Sequence, residues 1–204
     1  MPSSNPTVIQ IHLTTGRKHL FYQANSGLIQ NICDDLEGQV FKRPSLNIES
    51  INHVTTFPGQ AMIGITILAD PIPDCFYERE RLTKAIVTQI SAEAFQLRRL
   101  KYIAKVEGER GKTISELEFV SGERLYLEFN EVAGNSIDER NLMHHLFSNP
   151  SLCCRRLEGG FSIWNTAQIV SWSHYPKLEV PVNAWQAESL AELATADTIE
   201  PAML

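Results

Sequence analysis

Apolar and polar positions alternate through Val8-Ile9-Gln10-Ile11-His12-Leu13 after the first residue, as they do in a half-buried strand. Thr15-Gly16 supplies a turn, and residues 18–22 return as a second strand. A cleaner version lies further on. Leu117 and Phe119 lead into Ser121-Gly122, after which Leu125, Leu127 and Phe129 alternate with Arg124, Tyr126 and Glu128. Both stretches predict hairpins closed on a glycine. A short helix follows each. Leu28, Ile32, Leu36 and Val40 recur every four residues and form one apolar stripe. In the second stretch Ser136 or Asp138 caps, and Leu142, Leu146 and Phe147 face inward. Pro44 and Pro150 end these helices, because the residue before proline is pushed out of the α region. Two more strands complete each stretch. Phe57-Pro58-Gly59-Gln60 predicts a type II turn, and Ile63, Ile65 and Ile67 alternate after it. Ile169, Ser171 and Ser173 do so more weakly.

Shifting the chain along itself by 106 residues superimposes these two stretches. Residues 7–69 against 113–175 give nine identities in 63 positions, among them Thr7/Thr113, Gly16/Gly122, Leu36/Leu142, Phe41/Phe147, Ala61/Ala167 and Ile63/Ile169. Pro44-Ser45-Leu46 falls on Pro150-Ser151-Leu152. Chance at ordinary composition gives about four. The matched residues belong to turns and cores; Lys18/Arg124 is the sole like-charged pair. An ancestral duplication follows as the expectation. The predicted fold class is α+β and β-rich: two similar small β-β-α-β-β units, each an open barrel or a curved antiparallel sheet capped by a helix, joined by a basic helical connector. Sm-like and SH3-like folds are architectural relatives of such a unit, with no family motif to name. The expected boundaries are 1–73 and 113–180 for the units, 74–112 for the connector, and 181–204 for a tail that docks in part or frays.

Charge sharpens the connector. Residues 79–112 hold nine basic residues against four acids, or +5, while the whole chain carries −6. Leu82, Ile86, Ile90, Ala94 and Leu97 have helical spacing and predict a helix over about 77–97. Residues 98–107 fit either a strand or a continued helix. The tail has five acids after Lys177 and no basic residue, with Trp185 its largest apolar group.

The 43% apolar content excludes a disordered or collagen-like chain. The first residues show no signal-peptide pattern, and the longest apolar run, 61–69, is far short of the roughly 20 residues that span a bilayer. A cytoplasmic protein without a membrane partner is expected. Cys33, Cys75, Cys153 and Cys154 then remain thiols, and their spacing fits no zinc site.

Chemistry is thin. Adjacent His144 and His145 diverge by about 100° on a helix and do not share a metal. Asp34 and Asp35 lie off the apolar stripe, and Gly159-Gly160 reads as a hairpin turn. No Walker loop, nucleophile elbow or dinucleotide glycine pattern occurs. The expectation is a non-catalytic binding or assembly protein that meets a protein partner or its own copies, with no cofactor and no metal. Two alternatives stand beside it. One is a nucleic-acid contact through Arg98, Arg99, Lys101 and Lys105. The other is an enzyme whose site lies between the units and uses His53, His174 or Asp70.

Overall fold

A computed structural model describes residues 7–23, 39–69, 72, 76–77, 85–103, 112–131 and 149–175. Among the described residues it is a strand-rich α+β molecule with few helices and no closed barrel. The first hairpin is β1 (Thr7–Leu13) and β2 (Lys18–Gln23). A single helical turn, α1 (Gln39–Lys42), leads to β3 (Ser45–Glu49) and β4 (Val54–Pro58). A 3-10 turn over Gly59–Ala61 passes into β5 (Met62–Leu68). Then come β6 (Ala85–Gln89) and α2 (Ala92–Ile103). The second hairpin is β7 (Lys112–Phe119) and β8 (Arg124–Glu131). Last are β9 (Ser151–Arg156), β10 (Phe161–Asn165), a 3-10 turn over Thr166–Gln168, and β11 (Ile169–Tyr175).

Nine strands form one sheet in the order β11-β7-β8-β6-β9-β10-β5-β1-β2, while β3 and β4 pair separately. All neighbours are antiparallel except β6 and β9. The two faces of the sheet are buried in turn. Ile9, Ile11, Ile65, Ile67, Phe161 and Ile163 meet α1 and the β3–β4 hairpin through Val40, Phe41 and Phe57. Leu117, Phe119, Leu125, Leu127 and Phe129 pack instead on Leu152, Cys154 and Trp164. β10 feeds both cores, and all five of its residues are buried. A third cluster seats α2 on the second hairpin through Phe95, Ile90 and Ile114.

Local chemistry explains the turns. Gly16 and Gly122 sit at φ 77° and 79°, which a side chain resists, and each donates its N–H three residues back, to Leu13 and Phe119. Gly159 and Gly160 also take positive φ, as a hairpin loop requires. The predicted type II turn at Pro58-Gly59 is not what forms. Gly59 is not in the left-handed region; it opens the 3-10 turn, and an added Cβ there would run into the Phe41 and Arg43 carbonyls.

The connector also departs from expectation. Ala85–Gln89 is a strand and not part of a helix over 77–97. Ile86, Val87 and Thr88 are β-branched, and β8 and β9 offer them open ladders on both sides. The helix begins only after Ser91, whose hydroxyl accepts from the Ala94 N–H at 3.2 Å, and it runs on to Ile103. Of the first expected helix, with its stripe from Leu28 to Val40, residues 28–38 lie outside the described residues, as do the expected helix over 136–147 and the tail 181–204.

Candidate functional site

Alternation along β1, β5 and β10 brings a row of polar side chains together inside the sheet. Gln10 pairs with Thr66, and Thr66 with Ser162; one step along, His12 pairs with Gly64. Thr66 and Ser162 are fully buried, and His12 is 3% exposed. Buried polar groups need partners, and here they find one another. His12 Nε2 lies 3.0 Å from Thr66 Oγ1, which lies 2.9 Å from Ser162 Oγ. His12 Nδ1 is 3.3 Å from a Glu123 oxygen, and Lys18 Nζ donates to Glu123 at 2.9 Å. With Nδ1–H donating to Glu123, the ring accepts from Thr66, and Thr66 accepts from Ser162. Burial pushes the Glu123 carboxyl up, but the bonds from His12 and Lys18 outweigh it and hold it down at about 2.

Carboxylate, imidazole and hydroxyl in series have the residue types of a nucleophilic relay. Their placement is against that use, because both hydroxyls lie in the middle of the sheet with no exposed surface. What the row does is join β1 and β5 to β10 and the β7–β8 turn. Trp164 reinforces it, with its ring 4.8 Å from His12 and 5.1 Å from Phe119.

A second hydroxyl–imidazole pair lies at the far side of the sheet. Ser115 Oγ on β7 is 2.6 Å from His174 Nδ1 on β11. Burial alone pushes the His174 imidazole down to about 4, so its neutral form prevails near neutrality. Ser115 is fully buried, and Trp172 stands edge-on to the imidazole at 6.0 Å.

Of the basic residues singled out in the connector, Arg98, Arg99 and Lys101 fall on α2. Arg98 forms an ion pair with Glu128 on β8, whose other oxygen accepts from Asn130 at 3.1 Å. The Arg99 guanidinium stands 5.4 Å above the Tyr175 ring, and Lys101 is exposed in the last turn. Lys105 and Asp70 lie outside the described residues. His53 is exposed in the β3–β4 turn. Among the described residues no group of three His, Cys, Asp or Glu comes together to hold a metal, and no helix is long and apolar enough to cross a membrane. Cys154 is fully buried, which raises its thiol to about 12 against a weaker downward pull from the Trp164 indole.

Sequence reasoning passed over His12, Thr66, Ser162 and Glu123. The available signal was a lone hydroxyl inside each of two apolar runs, Ile63–Leu68 and 161–164. β2 and β11 end the nine-stranded sheet, and β2 carries Leu20 and Tyr22 at 67% and 68% exposure. No family model matches this chain, and no curated protein and no solved structure matches it.

Proposed function

We propose that this chain is a non-catalytic binding or assembly protein, a duplicated small β-rich scaffold that presents sheet edges to a protein partner. The two units are residues 1–73 and 113–180, with the basic connector 74–112 between them.

The duplication draws support from strand registers. β1 pairs with β2 as Val8↔Tyr22 through His12↔Lys18; β7 pairs with β8 as Ile114↔Glu128 through Glu118↔Arg124, each partner 106 residues on. β1 meets β5 with a register shift between His12 and Leu13, and β7 meets β11 with the matching shift at Ile169/Ser171. Ala61 C=O accepts from Thr14 N–H, as Gln168 C=O accepts from Val120 N–H. The offset rises from 106 to 107 between the β3–β4 hairpin and its counterpart β9–β10, because Ile51-Asn52 is answered by Leu157-Glu158-Gly159 between the closing bonds Ser50→His53 and Arg156→Gly160. Phe57 therefore corresponds to Trp164, and Met62 to Ile169. The pairs Ala61/Ala167 and Ile63/Ile169 drawn from a gapless shift are one residue out.

The observation that carries the binding reading is where polar and apolar groups sit. The His12–Thr66 pair is buried between strands and the Ser115–His174 pair is partly buried, while large apolar side chains stand exposed on the edge strand β2. An open edge is a template for another strand. The test is affinity capture and cross-linking with the full chain in extract. A stoichiometric protein partner or self-association is the expected result; recovery of neither refutes the reading.

A further inference from the structure

We infer that β2 is a dimer interface: two copies of this chain join their β2 strands antiparallel about a two-fold axis at Leu20, continuing the sheet from one molecule into the next. This deepens the binding reading above and rests on it. Leu13 N–H donates to Arg17 C=O at 3.0 Å, which fixes the alternation along β2. Residues 19, 21 and 23 turn their backbone groups toward β1, and Lys18, Leu20 and Tyr22 turn theirs outward. Among the described residues no strand pairs with that outer side.

The same chain shows what such an edge accepts. In the second hairpin Phe119 N–H donates to Glu123 C=O, so Arg124, Tyr126 and Glu128 face outward, and β6 lies there antiparallel with Ile90 N–H bonded to Tyr126 C=O at 2.9 Å. β2 occupies the place of β8, and among the described residues no strand lies along its outer ladder. Its outward residues are self-complementary. A two-fold through Leu20 sets Leu20 on its own copy and the methylene stem of Lys18, whose ammonium is bonded to Glu123, against the Tyr22 ring of the other. The six residues of β2 hold no carboxylate to oppose this pairing. The side chains of Leu20 and Tyr22 lie on the face away from Phe57, which packs instead on His19 and Phe21.

Leu20→Pro tests the proposal on the full chain. It removes only the outward N–H, an edge position where proline is tolerated. Sedimentation velocity across a concentration series should find a dimer for the native chain, and for L20P and for Leu20→Lys a dissociation constant raised by about tenfold or more. Far-UV circular dichroism and thermal unfolding at high dilution confirm that each variant is folded. A native chain that stays monomeric to high concentration overturns the interface, and so does a dimer that both variants leave intact. Capture of a different protein by a monomeric chain would overturn the interface while leaving the binding reading standing.

Discussion

Gly64→Ala probes how tightly the two cores are bolted together. Gly64 sits on β5 opposite Trp164 of β10. A Cβ there would lie 2.5 Å and 2.8 Å from two carbons of the indole and 3.1 Å from the Ile163 carbonyl oxygen, where ordinary contact is 3.4–4 Å. The ring has little room to retreat, because Phe119 stacks against it at 5.1 Å and His12 meets it edge-on at 4.8 Å. Overpacking of this kind costs about 1–3 kcal/mol, and the upper part of that range fits a clash on two ring atoms. Replacing glycine in a strand returns about 0.5–1 kcal/mol. A net loss of about 2 kcal/mol remains, or about 4–8 °C in Tm for a chain of this length. Differential scanning calorimetry reads it directly. Trp164→Leu makes room, so the double variant should lose less than the sum of the two single losses, by about 1 kcal/mol or more. A G64A melting point within a degree of native, or strictly additive losses, refutes this account of the junction.

Three further outcomes follow from the site geometry. Glu123 titrates at about 2 in the folded chain against an ordinary 4.5, so its contribution is present above pH 4.5 and drains away as pH falls toward 2. With partial solvent screening that amounts to about 1–2 kcal/mol, and Glu123→Gln should flatten urea-denaturation stability across that window; an unchanged slope counts against it. Arg98→Ala strands the buried Glu128 carboxylate and should cost about 1–3 kcal/mol in chemical denaturation, whereas a nucleic-acid contact through Arg98, Arg99, Lys101 and Lys105 would appear as salt-dependent filter binding that the variant weakens. Cys154, raised to about 12 by burial, should resist alkylation at pH 8 until the chain unfolds, in a variant with Cys33, Cys75 and Cys153 changed to serine; labelling at the rate of a free thiol would show that the core is open there.

Local sequence settled what depends on near neighbours. Alternation located β1, β7 and β8, and Gly16, Gly122, Gly159 and Gly160 marked turns because positive φ is a property of the residue itself. On the proposed duplication, a gapless shift of 106 falls one residue out after the β9–β10 turn, since it cannot register Leu157-Glu158-Gly159 against Ile51-Asn52. Only tertiary structure decided the rest. Residues 85–89 read as helix until β8 and β9 flank them, because a ladder on each side outweighs a helical spacing of apolar residues. His12, Thr66, Ser162 and Glu123 are spread over 151 positions of chain, and their meeting follows from β5 pairing with β10, a long-range choice that no local pattern encodes. That β6 lands beside β8 and β9 was likewise settled only by the tertiary structure.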